Sequence, residues 1–514
     1  MASGFVIRKN QYYDSVFLMT VNKRLSESPG VQQTAVLMGG EKNKGLLADI
    51  GIRDAQIDAA QPNDLIVAVI AETPEIVHAV LGRIDEALNA VAETTPLSSL
   101  HTFEDGLAHK PRANLVVITI PGEHVAREAR KALTAGLNVF IFSSNVSLDD
   151  ELKLKQLAGQ KGLLVMGPDC GTSLIGGVGL GFANVIRKGP IGVVGASGTG
   201  LQEFTSQVHN AALGISHAIG TGSHDLSDQV GGLTTFAALD ALEADPSTKV
   251  IAMISKPPSS RTLERLLARI EMSKKPVVGC FLGARLQHKG AKAVFQSASI
   301  IDEAVHLALA KAEGRVPASQ PQLSAEEQAW LTRGKAAWLP EQKYLRGLFA
   351  GGTFCYQTQH ILQGAGIATY SNAPLDPGYA LADPDVSREH TVVDMGDDYY
   401  TLGKPHPMID STLRRQRILT EGRDPVVAVL LLDFILGYNA AMDPVGELLD
   451  AIMEAKQNAQ KRGRHLTVVA SICGTDGDPQ DLNLQTQMLR EAGVIVFQSS
   501  ARAAAFCCGL LKEW

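Results

Sequence analysis

Several features that mark large protein classes are missing from this sequence. Its six cysteines, Cys170, Cys280, Cys355, Cys473, Cys507 and Cys508, show no C-x-x-C spacing, so neither a disulfide framework nor a zinc ligand set is expected. No basic run offsets the net charge of −7, which makes nucleic acid and anionic membrane poor partners. Residues Met1 to Lys9 lack the basic start and apolar core of a signal peptide, and no apolar run approaches bilayer length; the chain therefore reads as cytoplasmic, with no membrane attachment. Low-complexity tracts, short-period repeats and the G-x-x-x-x-G-K-[ST] phosphate loop are also absent.

What the chain does have is 514 residues at 45% hydrophobic content, enough for roughly two to four domains with cores of their own. Short apolar runs alternate with amphipathic helical stretches, including Leu65 to Ile70, Leu115 to Ile120, Val139 to Phe142, Leu163 to Met166, Ile191 to Val194, Val250 to Ile254, Val277 to Phe281, Val426 to Leu432, Leu466 to Ala470 and Gly493 to Phe497. This rhythm predicts α/β architecture with parallel, doubly wound sheets. A Pro-, Ser- and Gln-bearing stretch from Arg315 to Tyr344 interrupts it and reads as a linker, and a weaker seam falls at Asn184 to Pro190. The expected blocks are 1–187 (a small α/β subdomain plus a Rossmann-type domain), 188–318, a linker at 319–344, and 345–514.

The stretch "VVGASGTGLQE" feeds a buried strand into a helix through a turn of small residues. Such a turn presents the unpaired N–H groups and positive dipole end of the helix, with Ser197, Gly198 and Thr199 as anion-binding candidates. The alternative is a tight turn with a Ser/Thr cap and no ligand. An echo in "GLFAGGTFC" supplies Gly351, Gly352 and Thr353, so that two helix starts would serve one charged ligand. Lys256, in "SKPP", follows a strand and places its charge where ligands of open α/β sheets sit. The segment "DMGDDYYTLGKPHPMID" concentrates Asp397, Lys404 and His406 around two prolines; His406 is a candidate general base or hydrogen-bonding group, or a histidine satisfied by backbone. Asp397 and Asp398 suit one site residue and one structural residue better than a dyad. Cys170 has Asp169 beside it and no cation to lower its pKa, and reads as a turn residue.

Four stretches, "GLLVMGPDCGT", "GPIGVVGASGTGLQE", "AIGTGSHDLSD" and "KPVVGCFLG", occur in the order found in the α subunit of succinyl-CoA synthetase, and "GGT", "DMGDD" and "LLLDFILG" resemble the C-terminal ligase domain of its β subunit. Together with "DSVFLM", "SKPP" and the Asp394 to Asp410 segment, they resemble the FdrA/YahF-like family over nearly the whole chain. The resemblance implies a CoA-binding-like Rossmann domain followed by two flavodoxin-like ligase domains, with CoA as the one candidate cofactor. It places a CoA-like ligand region at Pro121, Ser143, Asn145, Asp169 and Cys170, and aligns Glu203 with the glutamate beside the synthetase's phosphohistidine; Glu203 also reads simply as a first-turn helix acid. Two synthetase parts are missing. The Gly-His-Ala-Gly-Ala loop is replaced by "ARLQHKGAKA", in which His288 reads as a solvated loop histidine, and the interval that would hold an ATP-grasp domain is only the linker. The family implies a carbamoyltransferase component that binds carbamoyl phosphate or another acyl phosphate and a small carboxylate or amide, works with other subunits, and forms a homo-oligomer. An NDP-forming acyl-CoA synthetase and a non-catalytic scaffold are the competing expectations.

Overall fold

The computed structural model describes residues 2–512 apart from 12, 14, 27, 95–99, 101, 287–293, 318–323 and 402–403. His288 and Lys289 lie outside the described residues. The chain forms two compact units, 1–111 and 112–514.

In the first unit, strands β1 (Ala2–Arg8), β2 (Val31–Met38) and β3 (Leu65–Ala71) make a sheet in the order β1-β3-β2, with β3 antiparallel to both neighbours. The central strand LIVAVIA is apolar on both sides because both sides are covered. Leu65, Val67, Val69 and Ala71 join one cluster with the helices Ser15–Ser26 and Pro74–Gly82, while Ile66 and Ala68 join another with Leu47, Ile52 and Ile57.

The second unit holds three sheets. Strands β4 (Leu115–Ile118), β5 (Asn138–Ile141) and β6 (Val165–Met166) are parallel neighbours. Next come β7 (Thr172–Ile175), β8 (Val178–Gly181), β9 (Lys188–Gly195), β10 (Ile215–Gly220), β11 (Val250–Ser255), β12 (Val277–Phe281) and β13 (Phe295–Ala298), in the order β13-β12-β11-β9-β10-β7-β8. The five strands from β9 onward are parallel and the β7-β8 hairpin adds antiparallel to β10. Last come β14 (Tyr344–Phe349), β15 (Thr391–Asp394), β16 (Val427–Ile435), β17 (Thr467–Cys473) and β18 (Ile495–Phe497), all parallel, in the order β15-β14-β16-β17-β18.

Counted from β9 and from β14, both large sheets have the flavodoxin-like order 2-1-3-4-5. Their switch points lie between β9 and β11 and between β14 and β16, and ligands of such sheets sit at the carboxyl ends there. Strand β16 shows how the C-terminal core is built: Leu430, Leu432 and Phe434 pack on one face, Val429, Leu431 and Ile435 on the other. Within the interval read as a linker, Ala325–Ala336 is helical and Leu331 is buried in the C-terminal core.

The two flavodoxin-like sheets hold each other through reciprocal caps. Glu203, the sixth residue of the helix Gly198–Asn210, accepts from Ser500 N at 2.6 Å and Ser500 Oγ at 2.8 Å, at the start of the helix Ser500–Leu511. Gln357, the sixth residue of the helix Gly352–Gly364, accepts from Ile301 N at 2.9 Å, at the start of the helix Ile301–Glu313. Each helix that follows a switch-point strand thus satisfies an orphan N–H on the last helix of the other domain.

Candidate functional site

The carboxyl ends of strands from all three sheets of the second unit surround one cavity of about 640 Å³. Its wall includes Asp169 to Thr172 beyond β6, Ala196 to Thr199 beyond β9, Thr221 to His224 with Leu226 and Ser227 beyond β10, Lys256 beyond β11, Gly352 and Thr353 beyond β14, and Asp394 at the end of β15.

Two helices begin at this cavity, Gly198–Asn210 and Gly352–Gly364, and neither has a side-chain cap. Ser197 takes the extended backbone of a cap residue, but its hydroxyl does not turn back on its own helix. It meets Thr353 Oγ1 at 2.5 Å, across the domain boundary. The "GTG" spacing permits this approach: a Cβ on Gly200 would lie 2.4 Å from Ser197 Oγ and 3.1 Å from Thr353 Cγ2. The first-turn N–H groups of both helices, uncapped and carrying the positive ends of two dipoles, therefore face a common space suited to an anion.

Asp433 sets the second helix start. Its buried carboxylate accepts from Ala350 N at 2.9 Å and Gly351 N at 2.8 Å, and is held by Arg414 Nη2 at 2.8 Å. Gly351 consequently does not line the cavity: its N–H is used by Asp433, and the anion-facing positions are Gly352 and Thr353.

His406 lines the cavity with its ring 5.6 Å from that of Phe182. Its Nδ1 accepts from Met408 N at 3.2 Å, which puts the proton of the neutral imidazole on Nε2. Burial, with Arg414 adding to it, pushes the imidazolium pKa down to about 4. At neutral pH His406 is therefore a neutral ring with its N–H on Nε2, beside Gly396 of the cavity wall. Such a ring suits hydrogen bonding better than proton abstraction, the two roles the sequence leaves open.

Lys256 is exposed at the cavity mouth, 5.3 Å above the Tyr356 ring. It acts electrostatically on both Asp169 and Asp394. Lys404 also lines the cavity. Asp397 is the structural member of its pair: its carboxylate accepts from Tyr399 N at 3.0 Å and its carbonyl from Tyr400 N, while Asp398 reaches the wall.

Glu203 is turned away from the cavity to the cap described above. Burial, with Asp302 adding to it, pushes its carboxyl up to about 8. Of the positions proposed for a CoA-like ligand, Asp169 and Cys170 line the cavity and Pro121, Ser143 and Asn145 do not, although Ser144 does. Cys170 is buried with its thiol pushed up to about 11, unsuitable for a nucleophile.

Asp394 was not singled out by sequence. Withdrawal from water pushes its carboxyl up to about 7; Gly396 N–H and Lys256 oppose the shift, while Asp397 and Asp433 add to it. Its Oδ2 stands against the second helix start, 2.4 Å from where a Cβ on Gly352 would be. Below pH 7 the neutral acid leaves that start open to an anion; above it, the carboxylate repels one. Sulfate, a dianion throughout, is expected to bind roughly tenfold more weakly as pH rises through 7. In Asp394→Asn, titration calorimetry should find that dependence flattened. His406 does not titrate in this interval.

The family models and the full-length sequence relative agree with this architecture. The chain is 42% identical to YahF of Escherichia coli strain K12, over 99% of both chains. It belongs to the YahF/FdrA-like family, fused proteins built like succinyl-CoA synthetase. In this member, family models described as "CoA binding domain" and "CoA-ligase" match residues 186–281 and 348–507, and one described as "AllF, heavy metal-associated domain" matches 1–101. No cluster that could hold a metal occurs among the described residues. The α subunit of the ADP-forming succinate–CoA ligase of Methanothermobacter thermautotrophicus is 28% identical over 35% of this chain and 62% of its own length. A dinucleotide-forming acetyl-CoA synthetase of Ca. Korarchaeum cryptofilum matches at 17% identity and a TM-score of 0.28, covering 77% of this chain and 82% of that one.

The CoA-binding and CoA-ligase models make CoA a candidate ligand of this YahF/FdrA-like chain. The start of the helix Gly122–Thr134, outside both matched stretches, has no side-chain cap, but carbonyl oxygens of the Ser144–Asn145 loop stand against it: a Cβ on Gly122 would lie 2.4 Å from Asn145 O and 2.5 Å from Ser144 O, a lining that does not suit a diphosphate. No helix among the described residues is long and apolar enough to cross a membrane.

Proposed function

We propose that the cavity binds a small acyl phosphate and that the chain is the component of a carbamoyl-transferring assembly that holds carbamoyl phosphate. The observation that carries this reading is the Ser197–Thr353 contact of 2.5 Å, which joins two uncapped helix starts over one space. Phosphate would take the N–H groups of Gly198, Thr199, Gly352 and Thr353. His406 Nε2–H and Lys256 would stabilise charge that develops as the acyl group transfers. In that step an acceptor nitrogen attacks the carbonyl carbon and a C–N bond forms. The C–O bond to phosphorus breaks, the electron pair leaves with phosphate, and the proton of the nitrogen passes to phosphate or solvent. The donor arrives activated, so no nucleotide is consumed.

A CoA-ligase reading is favoured by the family models and by the succinate–CoA ligase relative. It needs a phosphorylated histidine. His406 is ill suited, because attack through Nε2 would move its proton to Nδ1, against Met408 N–H. Exposure of the full chain to labelled ATP, and separately to carbamoyl phosphate in a thermal-shift assay, tells the two apart. The transferase reading predicts no label and a rise in melting temperature with carbamoyl phosphate and with inorganic phosphate. Labelled histidine without either rise would replace it with the ligase.

A further inference from the structure

Gln202 lies one turn beyond Gly198 and Thr199 on the same helix face and lines the cavity, yet it is only 1% exposed. Its amide is oriented from behind by a chain of hydrogen bonds. The Asp478 carboxylate accepts from Asn184 Nδ2 at 2.7 Å, and Leu436 O accepts from the same nitrogen at 2.9 Å. That fixes Asn184 with Oδ1 toward Gln202, whose Nε2 donates to it at 3.1 Å and faces Leu436 O at 3.4 Å. Flipping the Gln202 amide would set its oxygen against two acceptors. Nε2 is thus committed to the protein, and Oε1 is left buried without a donor. Thr221 Oγ1, on a fully buried residue of the same cavity wall, likewise has no partner. Buried polar atoms in native proteins are nearly always paired, and these two unpaired ones belong to residues of a single cavity wall.

We infer that Gln202 Oε1 accepts an N–H from the acyl group of the bound acyl phosphate, so that the site selects a carbamoyl group over its methyl isostere. The inference rests on the reading of the cavity as an acyl phosphate site and adds the feature that reads the acyl end. A methyl group in that place leaves Oε1 unpaired, and a carboxylate sets oxygen against oxygen. Sites built to hydrogen-bond a ligand discriminate against analogues lacking the group far more sharply than apolar pockets do.

A stable isosteric pair tests this on the full chain: phosphonoacetamide, which carries the NH₂, and acetonylphosphonate, which carries CH₃, with inorganic phosphate as reference. The wild-type chain is expected to bind the amide roughly ten- to a hundredfold more tightly than the ketone. Gln202→Met should erase the preference and leave phosphate affinity unchanged. Gln202→Asn, which keeps an amide but withdraws it by one methylene, serves if the Met variant does not fold. Equal binding of both probes by the wild type, with phosphate still bound, overturns the role of Gln202 and leaves the anion site standing. A preference that survives both substitutions also overturns it. Failure of all three probes to bind removes the anion site, and the inference with it.

Discussion

Arg414→Met is expected to lower unfolding free energy by about 3–5 kcal/mol, because it strands the buried Asp433 carboxylate without a counter-charge. Arg414 Nη2 donates to Asp433 Oδ1 at 2.8 Å, Asp433 O at 2.7 Å and Leu348 O at 3.1 Å. Both side chains are nearly sealed from solvent, at 4% and 0% exposure. Burial raises the Asp433 carboxyl above its ordinary range, and Arg414 is the largest influence opposing it. Removal of the guanidinium therefore forces either a costly buried charge or protonation of Asp433. The loss should shrink as pH falls, since Asp433 then takes up a proton. Asp433 also positions Ala350 and Gly351, so phosphate affinity should fall in the same variant. Urea unfolding at neutral and acid pH measures the first effect; a loss under about 1 kcal/mol would mean that the pair does not hold this helix start.

His406→Ala is expected to reduce carbamoyl transfer by the reconstituted assembly by roughly 10²–10³-fold, the usual effect of removing one well-aimed donor. The Nδ1 contact with Met408 N and an imidazolium pKa near 4 make the ring a neutral N–H donor, not a proton shuttle. A side-chain amide can supply the same donor, so His406→Gln should recover part of the rate. The wild-type rate should show no inflection from this residue at neutral pH. If Gln is as poor as Ala and an inflection disappears with the histidine, the ring is transferring protons and the donor role is wrong.

Most of the fold can be read from local pattern, because buried parallel strands are short continuous apolar runs and their ends are marked by small residues. The strands β9, β11, β12 and β16 announce themselves in this way, and the Ser197 and Thr353 turns lie at the sheet ends where the pattern puts them. The chemistry of individual positions is less legible, because partners distant in sequence decide it. Gly351 and Gly352 look alike until Asp433, 82 residues from Gly351, takes one N–H. Glu203 looks like a first-turn acid until Ser500, 297 residues away, claims it. Asp397 and Asp398 are separated by a local turn: Asp397 accepts from Tyr399 N, a pattern visible in principle as an acidic residue opening a short helix. Asp394 could have been suspected from its place at the end of a buried strand before Gly396. Gln202 gives no signal of its own in the sequence, since its free acceptor depends on Asp478 through Asn184.

The central claim is that two helix starts grip one anion, and a crystal structure of the chain grown with phosphonoacetamide tests it most directly. The account predicts phosphonate oxygens about 2.7–3.2 Å from the N–H groups of both Gly198–Thr199 and Gly352–Thr353. A phosphonate held elsewhere, such as at the start of the helix Gly122–Thr134, with these N–H groups turned to other partners, would contradict it.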